Sequence, residues 1–284
     1  MKTIKQYLKP LLTGIIVTLI MALVMLKITM DFQILLFFGA FIFFISGIVN
    51  SKIKRNYLVT TFLITFIYLG LFISTVLEQL PELWYFVLIY FSASLLGLLY
   101  KNYKQKVIVS LSLITITMLF LAIKIIPSDI ENNLTKIKFE AIPEFIINEL
   151  SGNVVNSKTL KGKIVILDFF GTWCKPCVGE LKELDKIQLE FKEDTDVVFY
   201  VINANIGGDT PEKFKAFIKK HNYKFKFAYD YDSKIYKLLK LQKLGLPVLL
   251  IIDKEQNIRI QHVGYNPAET NFSKNMIKTI NSLK

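Results

Sequence analysis

The sequence predicts two parts in one chain: an all-α multi-span transmembrane domain, then an α/β domain with a mixed central sheet flanked by helices. Three observations predict this. Residues 1–126 hold 11 basic and 3 acidic side chains, whereas residues 127–284 hold 24 and 20. The first part contains five apolar runs near the length of about 20 residues needed to cross a hydrocarbon core. From residue 138 onward, short apolar runs alternate with stretches at helical spacing, the pattern of an α/β domain. The whole chain is 52% hydrophobic and 20% charged with net charge +12. That excludes a disordered chain or a collagen-like repeat, and two cysteines are too few for a disulfide-stapled scaffold. Because the positive excess borders apolar runs, it fits a membrane lipid surface better than nucleic acid, and no nucleic-acid partner is expected.

The predicted spans are 11–30, 32–49, 57–77, 83–100 and 107–126. Lys27 and Lys124 stand close enough to span ends to snorkel to the interface. Little more than Asp31 separates the first two spans, which therefore form a tight hairpin. Tyr7, Tyr57, Trp84, Tyr85, Tyr100 and Tyr103 fit interfacial aromatic belts. The first run is too long for a cleaved signal peptide, and no small-residue cleavage site follows it. Nine basic residues (Lys2, Lys5, Lys9, Lys52, Lys54, Arg55, Lys101, Lys104 and Lys106) fall in alternate loops, against Lys27 and Lys124 on the other side. The positive-inside rule then makes the N-terminus cytoplasmic. An odd number of spans places everything after Ile126 outside, facing the periplasm or cell exterior of a bacterial inner or plasma membrane. No Cys, His or acidic residue lies deep in a span, so the spans read as an anchor or a docking surface.

A linker is expected over 127–137 and the second domain over 138–284. Strands are expected at 144–150, 163–170, 197–203 and 225–229, with a pair at 248–253 and 258–263. Helices are expected at 175–193, 211–221 and 233–241, with a last one opening at Asn266 or Pro267. In the first of these, Val178, Leu181, Leu184, Ile187, Leu189 and Phe191 mark the apolar side. Asp209 or Thr210 caps the second, with a proline at its first turn.

Both cysteines lie between the central strand and its helix, in Gly171-Thr172-Trp173-Cys174-Lys175-Pro176-Cys177. A structural zinc site needs four ligands, and only His221 and His262 could add to these two, neither in metal-ligand spacing. A purely structural disulfide closing so small a loop contributes little stability. Reversible dithiol chemistry is the reading that remains. Cys174 falls at the first turn of a helix, where unpaired amides and the dipole favour an anion and lower the thiol pKa from ~8.5. Cys177 lies one turn along and can attack a mixed disulfide formed by Cys174. Pro176 fixes φ and lacks an N–H that would have no partner there. Lys175 favours the thiolate, although an exposed lysine is screened.

The C-terminal half resembles the thioredoxin superfamily, specifically membrane-anchored TlpA/ResA-like thiol–disulfide oxidoreductases. The resemblance covers about 137–284. It rests on Pro143-Glu144-Phe145, Leu160-Lys161-Gly162-Lys163, Trp173-Cys174-Lys175-Pro176-Cys177, Glu180, Asp209-Thr210-Pro211-Glu212, Gly245-Leu246-Pro247 and Ile252-Asp253. It implies a thioredoxin-like fold, no cofactor beyond a redox-active Cys174–Cys177 disulfide, Cys174 as the attacking thiol and Cys177 as the resolving one. Pro247 matches the family's cis-proline beside the disulfide, and the backbone of Leu246 would pair with the substrate. Many relatives carry Thr, Val or Ile before this proline, so Leu246 bears on which thiols are admitted. Trp173 is expected to pack beside the motif and shield it. Asp168 matches the buried acid of thioredoxin, where many TlpA/ResA-like relatives carry Asn. Buried, it would have a raised pKa and could take the proton of Cys177; the alternative is a solvated strand-end aspartate. Glu180 either tunes the site or is a plain solvated helix acid.

A thiol pair held outside the membrane needs electrons from inside, and spans without cysteine cannot relay them. The expected partners are extracytoplasmic protein thiols and disulfides, and a separate membrane electron donor such as a CcdA/DsbD-like protein. The expected activity is reduction of extracytoplasmic disulfides, with apocytochrome c haem-site cysteines as candidate clients. A disulfide oxidase or isomerase, or a membrane redox sensor, are the alternatives. Gly171 stands where peroxiredoxins carry Thr, which argues against that class.

Overall fold

The computed structural model describes residues 2–52, 56–77 and 80–284 and divides into two compact units, residues 1–130 and 131–284. Lys54 and Arg55, which enter the loop-charge reading, lie outside the described residues.

In the first unit α1 (Lys2–Leu23) ends in a wide π-helical turn, Val24–Ile28. Asp31 then caps α2 (Phe32–Asn50), its carboxylate accepting from the amides of Gln33 at 2.8 Å and Ile34 at 3.3 Å. α3 (Tyr57–Phe72) is capped by Asn56 and runs into a second π turn, Ile73–Leu77. A 3-10 turn leads into α4 (Tyr85–Leu99). α5 (Lys104–Phe120), a third π turn (Leu121–Ile125) and α6 (Ile126–Leu134) follow without a break. Among the described residues four helices, Tyr7–Ile28, Phe32–Asn50, Pro81–Leu99 and Lys104–Leu134, are long and apolar enough to cross a membrane; Tyr57–Phe72, in the third of the five expected spans, is a shorter apolar helix. Small residues set the packing, as in membrane bundles. A methyl group on Gly47 would fall 2.2 Å from the Ser94 carbonyl oxygen, and one on Gly97 2.1 Å from that of Phe44, so α2 and α4 meet backbone to backbone. The Tyr90 hydroxyl of α4 donates to the Leu35 carbonyl of α2 at 2.6 Å.

Residues 127–137, expected as a linker, contain the boundary between the two units but carry regular structure. Pro127 follows a π turn, where the i→i−4 ladder is already opened, so its missing N–H does not end the helix. Helix continues to Leu134 and β1 (Thr135–Ala141) starts at the next residue.

The second unit continues with a small hairpin, β2 (Ile146–Asn148) and β3 (Val154–Asn156), then β4 (Ile164–Phe170) and α7 (Lys175–Glu190). After these come β5 (Val197–Asn203), α8 (Pro211–His221), β6 (Lys226–Tyr229), α9 (Lys234–Leu238), β7 (Val248–Ile252), β8 (Asn257–Val263) and α10 (Phe272–Ser282). The six-stranded sheet has the order β1-β8-β7-β4-β5-β6, with β4, β5 and β6 parallel and the other neighbours antiparallel. This is a mixed sheet with β4 near its centre, and every residue of β4, β5 and β7 is buried. One face packs against Leu181, Leu184 and Ile187 of α7, Phe214 of α8, and Phe272, Met276 and Ile280 of α10. The other packs against Ile147 of the hairpin and Ile235 and Tyr236 by α9. Leu189, expected on the apolar side of α7, lies off that stripe and is exposed. The last helix starts at Phe272 because residues 266–271 form turns, the first closed by the Asn266 side chain accepting from the Ala268 amide at 3.0 Å.

Candidate active site

β4 carries the chain to Phe170, and Gly171-Thr172-Trp173 turns it into α7. Cys174 is the N-cap of α7, one position earlier than the first helical turn in which the sequence placed it, with φ −82° and ψ 102°. Its Sγ accepts from the Cys177 amide at 3.2 Å. A thiolate there would receive a charge-assisted bond and face the positive end of the helix. The cysteines form a disulfide with Cα atoms 5.3 Å apart; Cys174 retains 4% exposure and Cys177 1%. Pro176 occupies the first turn, where no N–H is needed, and Lys175 is exposed.

Trp173 lies beside the motif but leaves 55% of its surface open, so it offers an aromatic platform more than a shield. Its Nε1 donates to the Ile206 carbonyl at 2.9 Å. Gly207, at φ +66°, makes room for the ring: a Cβ there would fall 2.3 Å from it. The motif loop is anchored by Asp209, which the sequence offered as a helix cap. Thr210 is the cap instead, accepting from the Lys213 amide. The Asp209 carboxylate accepts from the Thr172 amide at 2.8 Å, from the Thr172 hydroxyl, and from Asn203 Nδ2 at 2.8 Å. It therefore ties the loop before Cys174 to the end of β5. The Thr-x-Cys spacing gave no sign of this partner, which only the β4–β5 pairing brings near.

The Leu246–Pro247 peptide is cis, Pro247 is buried, and its carbonyl accepts from the Gly264 amide at 2.8 Å. Leu246 Cδ1 would stand 3.4 Å from a Cβ on Gly171, which places this loop against the motif turn.

Asp168 and Glu180 are both fully buried, which removes the solvated readings of each. Ile164, Ile166 and Phe170 face α7 and α10 together with Cys174 and Cys177. The two-residue period of β4 therefore turns Asp168 to that same face. Among the described residues neither carboxyl has a hydrogen-bond partner. Loss of water pushes Asp168 up to about 8. Burial, and after it the charges of Asp168 and Glu269, push Glu180 well above the usual carboxylate range. Acids of this kind can exchange a proton with a thiol near neutral pH. Among the described residues no group of three or more His, Cys, Asp or Glu side chains is arranged to hold a metal ion.

The AhpC/TSA family matches residues 140–261. Thiol-disulfide oxidoreductase ResA of Bacillus cereus is 33% identical over 128 residues, covering 45% of this chain and 70% of the relative. Thioredoxin-like protein YneN of Bacillus subtilis is 30% identical over 122 residues, covering 43% of this chain and 69% of the relative. Among solved structures, the putative thiol:disulfide interchange protein DsbE from Chlorobium tepidum is 24% identical. It covers 50% of this chain and 96% of that one with a TM-score of 0.45. With a thioredoxin-like mixed sheet, a helix-capping Cys-x-x-Cys disulfide and the ResA and YneN relatives, the chain belongs, through its C-terminal half, to the ResA-like thiol–disulfide oxidoreductases.

Proposed function

We propose that the protein is a membrane-anchored reductase of extracytoplasmic protein disulfides, supplied with electrons by a separate membrane donor of the CcdA/DsbD-like kind. The haem-site cysteines of apocytochrome c are a client class that fits, since a reduced pair is what haem attachment needs. The observation that carries the chemistry is the Cys177 amide on Cys174 Sγ at the head of α7. In the reduced protein the Cys174 thiolate attacks a substrate disulfide, forms a mixed disulfide and expels one substrate thiolate. Asp168 takes the proton of Cys177, and the resulting thiolate attacks Cys174 Sγ. The Cys174–Cys177 bond forms, the bond to substrate breaks, and the electron pair leaves on the second substrate sulfur. Two electrons pass from the dithiol to the substrate. Trp173 and the backbone of Leu246 flank the approach, and Pro247 holds that loop against the motif.

The outward placement is supported by the basic residues in alternate loops. The reducing direction is supported by Asp168 and by a Lys-Pro pair, without histidine, between the cysteines. The test is a Cys177→Ala chain expressed in intact cells. Extracytoplasmic clients should accumulate as mixed disulfides through Cys174 and vanish on adding Cys174→Ala. A single trapped membrane protein would instead mark a sensor. A midpoint potential near the ~−120 mV of a strong oxidase, instead of toward the ~−270 mV of thioredoxin, would refute the direction. Impermeant thiol reagents should reach reduced Cys174 in intact cells; labelling only after lysis would refute the placement.

A further inference from the structure

Asp168 and Glu180 do not end the buried polar set. Strand register aligns Asp168 of β4 with Leu249 of β7, Leu249 with His262 of β8, and His262 with Thr135 of β1. Residues in register share a face, so one row crosses the α7/α10 side of the sheet, apolar only at Leu249. α7 adds Glu180 to this face, and the turn before α10 adds Glu269. Asp168, Glu180 and His262 are 0% exposed and Glu269 is 4% exposed. His262 Nε2 stands 3.4 Å from Glu269 Oε2, and its Nδ1 is 2.8 Å from Thr135 Oγ1. Among the described residues, all six carboxyl oxygens of Asp168, Glu180 and Glu269, and His262 Nε2, lack a hydrogen-bond partner. Leaving so many buried polar atoms unpaired is costly.

The other polar or titratable groups around the row are few. Cys174 and Cys177 face it from the start of α7, and Tyr265 packs against Gly179 and Phe272. Glu131 of α6 acts on Glu269 and is bonded by Asn275 of α10. Burial, then Glu131, pushes Glu269 up to about 8, and burial lowers His262 to about 4. At neutral pH the row is thus mostly uncharged, with two carboxyls close to their titration points.

We propose that Glu269 and His262 are positioning residues for proton movement at Cys177, forming the far end of a path Cys177–Asp168–Glu180–Glu269–His262–Thr135 that opens at the β1–β8 edge. The proposal rests on Cys177 being the thiol that loses a proton, and it applies to either direction of exchange. When Cys177 gives its proton to Asp168, each carboxyl along the row accepts one proton and releases the one it held; neutral His262 accepts the proton of Glu269 at Nε2 and releases that of Nδ1 to Thr135 Oγ1, whose own proton leaves at the edge. The net result is one proton delivered at the sheet edge for each Cys177 thiolate consumed in forming the disulfide. The return of a proton on reduction runs backward along the same groups.

The test uses the full reduced chain in detergent and a symmetric aromatic disulfide whose two coloured thiolates leave in sequence. The first release reports Cys174 attack and the second reports resolution by Cys177. Glu269→Gln should lower the ratio of resolution to attack about tenfold at pH 7. It should also move the apparent pKa of resolution down, because Glu180 loses a like-charged neighbour. Glu269→Asp should restore much of both. Thr135→Val, at the sheet edge, removes only the Nδ1 partner of His262 and should also shift the resolution profile; it decides the matter if Glu269→Gln fails to fold. Unmoved resolution profiles in the variants that fold, or equal slowing of both phases, would overturn the path. Failure of Cys174 attack in the unmodified chain would instead overturn the proposed function.

Discussion

Replacing Asp168 with Asn should make the second unit more stable at neutral pH while slowing its chemistry. Burial holds the Asp168 carboxyl at about 8 when folded, against 3.8 as its ordinary value. The folded protein therefore binds the proton more tightly than the unfolded chain. The carboxyl costs nothing below about pH 4, costs progressively more as pH rises, and reaches its full penalty near pH 8. About three pH units separate neutral pH from the ordinary value, and each is worth ~1.36 kcal/mol, so the penalty at pH 7 is at most about 4 kcal/mol. Asn keeps the volume and does not titrate. Hydrogen-exchange protection of the β4 and β5 amides in the full chain, corrected for intrinsic rates, reads this free energy without unfolding the membrane-type helices. The variant should gain protection at pH 7 and lose the gain toward pH 4, with resolution by Cys177 slowed at least ~100-fold. An equal gain at all pH values, or a loss at pH 7, would refute the assignment of Asp168 as a buried, proton-holding base.

Three further outcomes follow from the geometry. Asp209→Ala removes the acceptor for Thr172 and Asn203 and should destabilise the second unit by about 2–3 kcal/mol, read by thermal unfolding. Gly207→Ala would place a Cβ 2.3 Å from the Trp173 ring; it should displace that ring, shift its fluorescence and cost about 1–3 kcal/mol. Gly47→Ala should force α2 from α4, because its Cβ would fall 2.2 Å from the Ser94 carbonyl, and should lower the melting point of the helical signal in detergent.

The central β4–motif–α7 unit was legible because a run of buried β residues stops at Gly171 and a helical stripe starts at Cys177. The buried place of Glu180 was also written there. It falls three residues after Cys177 and four before Leu184, on the stripe itself, although an acid at such a position reads as solvated until the stripe is traced. Glu269 and His262 were not legible as site groups. They are brought to Asp168 by strand register and by a turn that delays α10, and local pattern encodes neither. Asp209 was visible as a cap candidate, while its partner Thr172 lies 37 residues away. β1 went unread because Ile137 and Phe139 alternate with charged residues in a segment too polar for a core strand.

That same strand has a consequence for how the domain behaves in solution. β1 ends the sheet at one side, and Ile137 and Phe139 are 73% and 74% exposed. An open edge with such side chains is a template for a second copy to stack on. Here Lys136, Lys138 and Glu140 interrupt the apolar positions, the register slips between Ile137 and Glu140, and the Arg259 guanidinium lies 4.6 Å over the Phe139 ring. Charge, an irregular ladder and a guanidinium over one face of the ring together blunt the edge against aggregation. The lysines that hid the strand from a hydropathy reading are also charges that disfavour pairing of this edge with a second copy.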